Sequence, residues 1–398
     1  MEDRETARRV MEAVEKHART AKILSADLYA CPEISGQEFE SSKKIVALLE
    51  RAGYAMEFPF CGMPTAFRGV LKTGKGPRVA VMVEYDALPD IGHGCGHNLH
   101  GSLSVLAALA LMELRDLFTG TICIIGAPKE ELDGAKIVMA ERGVFDGFAA
   151  AMMMHSGSGG VSRANMAALS LRGYAVDFSG QAAHAVAASW RGRSALAAAR
   201  KFIDLIDARR ECFAPGVYVN AIITGGGTTV NVIPDRAGVR LEFRTASMGS
   251  LADAEDMITK CARGAAIALD CGMEMSRTCG DFADMIRVPA LENEVEALFE
   301  SLGVQTEPVS PPMGSTDMGN VSYRCPAIQP IISITGEDIA LHTREFARAT
   351  VKSEAFTAMK TGARVLTLLA LKVLRDGEFR KKAQDDFRAN LTARIKGF

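Results

Sequence analysis

Four apolar runs with strand character each lead into residue types that bind divalent metals, and this repetition limits the folds open to the chain. Residues 80–83 precede Gly92-His93-Gly94-Cys95-Gly96-His97-Asn98-Leu99-His100, 122–125 precede Glu130-Glu131, 149–154 end at His155, and 328–334 precede His342. In an open α/β sheet the carboxyl ends of the strands face one crevice, so ligands far apart in sequence can converge there. The pattern therefore predicts one metal site at the end of a mainly parallel sheet.

With 398 residues, 48% of them hydrophobic and 24% charged, the chain can bury a core large enough for two domains. A net charge of −2 without any block of like charge gives no electrostatic footprint for nucleic acid or an anionic membrane. No stretch approaches the roughly 20 apolar residues of a membrane span, and the N-terminus is charged helix former rather than a basic region followed by an apolar core. Nine cysteines without a framework of spacings argue for reduced thiols, and together these features point to a cytoplasmic protein.

Helical periodicity covers the chain to about residue 30, and a second helix over 37–52 buries Ile45, Leu48 and Leu49 and stops at Gly53. Strands and helices then alternate to His155, with helices over 96–114, whose apolar side carries Leu103, Leu106, Leu109 and Leu111, and over 134–143. Such alternation predicts an α/β fold, a mainly parallel mixed sheet flanked by helices. Beyond residue 164 the pattern changes. Residues 169–178 alternate as a strand with one exposed face, 191–209 and 250–270 are helical, and 217–223, 238–244 and 273–278 are strands. That β-α-β-β-α-β order is the ferredoxin-like unit. Helical pattern returns at 292–302, turns dominate 308–320, and a helix over 352–375 closes the fold. Metal-binding residue types lie on both sides of the ferredoxin-like segment. The economical organisation is a metal-binding, catalytic domain of residues 1–165 and 284–398 with an inserted lid domain at 166–283, joined by short hinges near Asn165 and Phe282.

Cys95 and His97 stand two apart in a glycine-rich loop before a helix, which lets backbone approach an ion closely and supplies one thiolate and one imidazole. Glu130 and Glu131 follow a strand and Pro128. Neighbouring side chains in an extended loop point apart, so one carboxylate can reach a metal while the other faces substrate as general base. Alone, each motif has a plainer explanation: a turn that happens to hold Cys and His, a solvated glutamate pair, or, for His155 and His342, satisfied core histidines. Together they read as the ligand set of a dinuclear metallohydrolase. Cys95 as a nucleophile with His97 is disfavoured, because residues two apart seldom bring thiol and imidazole into productive contact. His184, in the inserted segment, is either an exposed loop residue or a donor that polarises a substrate carbonyl. Residues 225–231, Gly-Gly-Gly-Thr-Thr-Val-Asn, form a loop rich in backbone donors but lack the context of a dinucleotide or phosphate loop.

The segments Glu84-Tyr85-Asp86-Ala87-Leu88-Pro89, Gly-His-Gly-Cys-Gly-His-Asn-Leu, Pro128-Lys129-Glu130-Glu131, Asn231-Val232-Ile233-Pro234-Asp235, Gly314-Ser315-Thr316-Asp317 and His342-Thr343-Arg344-Glu345 resemble the aminoacylase/carboxypeptidase-type metallopeptidases. The similarity is to the amidohydrolase branch, with its aminobenzoyl-glutamate hydrolases, indoleacetyl-amino-acid hydrolases and β-alanyl-lysine dipeptidases. The resemblance implies a zinc-exopeptidase-like fold and hydrolysis of an amide bond in a small N-acyl amino acid or dipeptide. It implies two divalent ions per subunit, zinc or manganese with cobalt or nickel as further options, and a homodimer formed through the lid. On that carry-over Cys95, His97, Glu131, His155 and His342 are ligands, Glu130 is the general base, and Asp86 orients a ligand. His184 and Asn231 steady the oxyanion or substrate carboxylate, and Arg344 and Arg193 are candidates to pair with that carboxylate.

Ser156, Asn220, Ser189 and Gln329 depart from the branch's usual residues, which leaves the acyl group and amine open and places these positions near substrate or interface. The alternatives are an aminohydrolase that removes an amino group from a small aromatic acid and, from another class, a non-catalytic small-molecule-binding protein.

Overall fold

The computed structural model describes residues 2–312 and 314–396. The chain forms two compact units, one made of the chain to Ala167 with Met285–Arg394, the other of Ala168–Asp284.

The first unit is built on a six-stranded sheet in the order Ala55–Glu57, Phe67–Lys72, Thr121–Gly126, Arg78–Val83, Ala150–Met152, Ala327–Ile328. The two joins at the first edge are antiparallel and the other three parallel. Arg78–Val83 is buried from its second residue onward, as a strand covered on both faces must be. The helix His97–Glu113 is buried at every position to Met112, so it has no polar side. The helices Glu2–Ala30 and Ser353–Arg375 pack on it, which explains an apolar composition all round.

Two expected strands are each divided. Gln329-Pro330 splits the run 328–334 into Ala327–Ile328 of the large sheet and Ile331–Ser333 of a separate four-stranded sheet, because proline has no N–H for a ladder. Likewise Ala150–Met152 stays in the large sheet, while His155–Gly157 begins a second strand that pairs in parallel with Ile331–Ser333. His155 therefore opens a strand instead of ending one. A further helix, Gly377–Lys396, follows the one expected to close the fold. Its charged sequence conceals a narrow seam in which Ala383 and Phe387, four apart, are the buried contacts.

The second unit has an antiparallel sheet in the order Tyr218–Gly225, Arg236–Thr245, Ser170–Ser179, Gly272–Arg277, with helices Ala195–Ala208 and Met248–Ala268. This is the ferredoxin-like order, and Phe178, Phe202, Phe243, Leu251 and Ile258 fill its core. Ser170–Ser179 is central, and its first half is buried on both faces, so the exposed face expected there is confined to its end. Tyr218–Gly225 is an edge strand that exposes Tyr218, Ile222 and Ile223. The residues at the expected hinges are held firmly. Asn165 is fully buried and its amide bonds Met166, Gln329 and Glu292, and Phe282 exchanges two backbone hydrogen bonds with Leu171. Among the described residues no helix is long and apolar enough to cross a membrane.

Candidate metal centre

The strand Arg78–Val83 runs directly into Glu84-Tyr85-Asp86, and the helix His97–Glu113 starts beside it. Two glycines make that approach possible. Gly96 opens the helix at φ 89°, and a Cβ there would stand 3.0 Å from Ser156 Cβ. At Gly101 a Cβ would lie 2.0 Å from the Glu84 carbonyl oxygen, a backbone atom that cannot turn away.

His97 is fully buried, and its Nδ1–H donates to the Asp86 carbonyl at 2.9 Å and to Asp86 Oδ1 at 3.0 Å. That bond leaves Nε2 as the bare nitrogen. Asp86 is itself held by Ser35 Oγ at 2.7 Å and the Glu131 N–H at 3.1 Å, both donating to Oδ2. His155 is arranged in the same way: its Nδ1–H donates to the Ser156 carbonyl at 2.8 Å, and its Nε2 faces Cys95 Sγ at 3.4 Å.

The two glutamates do not diverge as an extended loop would require. Glu130 Oε2 and Glu131 Oε1 both stand 3.9 Å from His97 Nε2. Lys129 explains this, because it takes a left-handed φ of 62° and its N–H donates to the buried Glu38 carboxylate at 3.0 Å, which turns the loop. His342 also has a left-handed φ of 62°, fixed by donation of its N–H to the Gly94 carbonyl at 2.9 Å, and its Nε2 lies 3.5 Å from Glu131 Oε2.

The five expected ligands thus meet in two overlapping clusters, Cys95-His97-His155 and Cys95-Glu131-His342, in each of which the ligand atoms lie within 4.8 Å of one another. Cys95 belongs to both. The donor set suits borderline to hard divalent ions, with one thiolate, three imidazoles and a carboxylate. Buried atoms in it lack partners: neither His97 Nε2 nor Glu131 Oε1 has a hydrogen bond. The electrostatics point the same way. Burial and then Glu131 push the Cys95 thiol well above its ordinary pKa. Burial, Glu84, Glu131 and Asp317 do the same to Glu130. Burial would lower His97, yet Asp86 and Cys95 outweigh it and hold that ring's pKa well up. Each of these groups lies in an excess of negative charge that cations relieve.

The remaining expected residues lie elsewhere. His184 sits exposed in the second unit, in the short ladder where it pairs with Val232, the neighbour of Asn231. Its Nδ1 accepts from the Val186 and Ala187 N–H groups at 3.2 and 3.1 Å, which puts the ring proton on Nε2. Arg344 is exposed on the first turn of Arg344–Ala349, and Arg193 is engaged with Gln181 at 2.5 Å. Ser156 and Gln329 are buried within the first unit, against His100 and Thr316 respectively, and Asn220 and Ser189 are exposed in the second. A separate open cleft of about 450 Å³ lined by Ser162, Ser333, Glu354 and Thr361 holds none of these groups.

Four residues given no role from sequence adjoin the clusters. Glu84 accepts from Lys136 Nζ at 2.6 Å and His100 Nε2 at 3.2 Å, and Lys136 also bonds Asp317. Glu84 shares the signal of the other site residues, since it directly follows an apolar strand. Lys136 is signalled only as the single charge inside the apolar stretch Ala-Lys-Ile-Val-Met-Ala.

Residues 80–372 match the sequence profile of peptidase family M20/M25/M40. The chain is 30% identical over 402 residues to the Xaa-Arg dipeptidase of Mus musculus, covering 96% of this chain and 92% of that protein. It is 29% identical over 300 residues to a p-aminobenzoyl-glutamate hydrolase polypeptide of Escherichia coli, covering 70% of this chain and 62% of the relative. Among solved structures, an aminobenzoyl-glutamate utilization protein from Klebsiella pneumoniae superposes with a TM-score of 0.74 at 21% identity over 92% of this chain and 99% of that one. A Bacillus subtilis protein described as a dinuclear metal binding peptidase does so with a TM-score of 0.68 at 21% identity, covering 90% and 99%.

Proposed function

The chain belongs to peptidase family M20/M25/M40, and from that premise we propose that it is a metal-dependent hydrolase of the amide C–N bond in small N-acyl amino acids or dipeptides. The observation that carries this reading is the pair of ligand clusters sharing Cys95, with Glu130 beside them. Cys95, His97, Glu131, His155 and His342 would hold two divalent ions. Glu84, Asp86, Glu130, Glu131 and Asp317 set five carboxylates against the Lys136 ammonium, and a Cys95 thiolate would add to the net negative charge that two such ions offset. The Cys95 thiolate makes zinc suitable, and the Glu131 carboxylate admits manganese, cobalt or nickel.

When bound, divalent ions supply the Lewis acidity that activates a water and polarises a carbonyl. Glu130 would take the proton of that water and return it to the leaving nitrogen, a role its place beside the ligand clusters suits. Asp86 keeps the His97 ring oriented with Nε2 bare. His184, with its proton on Nε2, is suited to donate to the developing oxyanion, and Asn231 and Arg344 to hold the substrate carboxylate. The exposed edge strand Tyr218–Gly225 fits a homodimer formed through the second unit. The nine unpaired cysteines fit a reducing compartment such as the cytoplasm.

The test is Glu130→Gln assayed on a panel of N-acyl amino acids and dipeptides together with a metal count. Loss of turnover with the metal retained supports the reading. Turnover that survives both Glu130→Gln and chelation contradicts it.

A further inference from the structure

Next to the ligand clusters lies a second constellation, of which the mechanism uses only Glu130. Carboxylate oxygens of Glu84, Glu130 and Asp317 stand within 4.8 Å of one another. Three carboxylates so close repel one another and are an arrangement that proteins build around a divalent cation. Here the chain supplies the positive charge itself. Lys136, fully buried, bonds Glu84 Oε1 at 2.6 Å and Asp317 Oδ1, and its own N–H donates to Asp317 Oδ2 at 3.0 Å.

The ties of this ammonium cross the fold. Glu84 follows the central strand Arg78–Val83, Asp317 directly precedes the short helix Met318–Ser322, and Lys136 lies on the first turn of the helix that follows the loop carrying Glu130 and Glu131. The other oxygen of Glu84 receives the His100 Nε2–H at 3.2 Å, while His100 Nδ1 accepts the Ser156 N–H at 3.3 Å. The Glu84 carboxylate is thus clamped on both sides. A buried lysine is ordinarily discharged; desolvation works in that direction here too, but Asp317 and Glu84 overcome it.

We propose that Lys136 is a built-in cation filling a three-carboxylate site, and that it acts as a positioning residue, fixing the Glu84–Asp317 wall beside Glu130 and keeping that wall from binding a metal ion of its own. The positioning half rests on the reading of Glu130 as general base. The exclusion half does not.

The experiment strips the full-length protein with chelator, titrates it with Mn²⁺ alone, and compares wild type with Lys136→Met, a side chain of similar length without charge. The variant is expected to bind one more Mn²⁺ per chain than wild type. Its kcat for amide hydrolysis is expected to fall by roughly a hundredfold, as for a catalytic group displaced by about 1 Å, with KM little changed because the Glu84 and Asp317 side chains are buried. An equal Mn²⁺ count or an unchanged kcat overturns the proposal. If Lys136→Met does not fold, the triple variant Lys136→Met with Glu84→Gln and Asp317→Asn decides. Recovery of the fold with a wild-type Mn²⁺ count supports charge balance as the role of Lys136, and failure to recover overturns it. Because the count compares variant with wild type, it stays informative even if the wild-type protein hydrolyses no amide, a result that would strike the proposed function instead.

Discussion

Asp86 and His97 are joined twice through one nitrogen: the ring N–H at Nδ1 meets both the carbonyl and the carboxylate of Asp86, at 2.9 and 3.0 Å. The bond selects the tautomer that turns a bare Nε2 toward Glu130 and Glu131. Asp86→Ala should therefore weaken divalent-ion affinity by roughly 10- to 100-fold. Isothermal titration of the chelator-stripped protein checks this, and an affinity equal to wild type would remove Asp86 from the role of orienter.

Acid should destabilise the metal-free protein through the buried histidines His100 and His155. Burial, then charged neighbours, lower the pKa of His100 to about 3, and burial first of all lowers that of His155 to about 4, from an ordinary 6.5. Below pH 6.5 the unfolded chain binds protons on these rings while the folded chain does not until about pH 3 to 4, so their contribution is present above 6.5 and lost as pH falls through that window. His100→Gln should flatten the dependence by about 1.4 kcal/mol per pH unit, read from urea unfolding between pH 6 and 4. Parallel slopes for variant and wild type would refute it.

Gly101→Ala tests the close approach of the helix to the strand end. The added methyl would meet the Glu84 carbonyl oxygen at 2.0 Å, and relief requires the backbone that carries both Glu84 and His97 to move. A loss of more than about 3 kcal/mol is expected, together with weakened metal binding, both measurable by chemical unfolding with and without Mn²⁺. Wild-type stability would show that the two elements separate easily.

His184→Gln separates catalysis from metal binding. If its Nε2–H serves the oxyanion, kcat should drop by roughly 10²- to 10³-fold at an unchanged metal count. An unaltered kcat would leave His184 as the exposed ladder residue that its surroundings describe.

The periodicities carried the α/β sheet and the ferredoxin-like unit because a buried strand and an amphipathic helix differ in spacing. They failed where context decides. Pro330 divides a mostly apolar run, so Ile331–Ser333 falls in another sheet. Gly377–Lys396 rests on two buried side chains four apart, too narrow a stripe to stand out among its charges. At the site, apolar runs leading into metal-binding residue types pointed to Cys95, His97, His155 and His342, although His155 opens a strand of the smaller sheet instead of ending one of the large sheet. The disposition of Glu130 and Glu131 was not legible, because it depends on the left-handed backbone at Lys129 and its bond to Glu38, a residue remote in sequence. Lys136 was hidden for a related reason: a charge becomes interior only through partners such as Glu84 and Asp317 that sequence does not show to be near.

The most direct measurement is anomalous diffraction from crystals of the full-length protein grown with Mn²⁺. Two peaks among Cys95, His97, Glu131, His155 and His342, with Cys95 adjoining both, are the expected result. Absence of density there in a protein that still hydrolyses its amide substrate in the presence of chelator would contradict the dinuclear site.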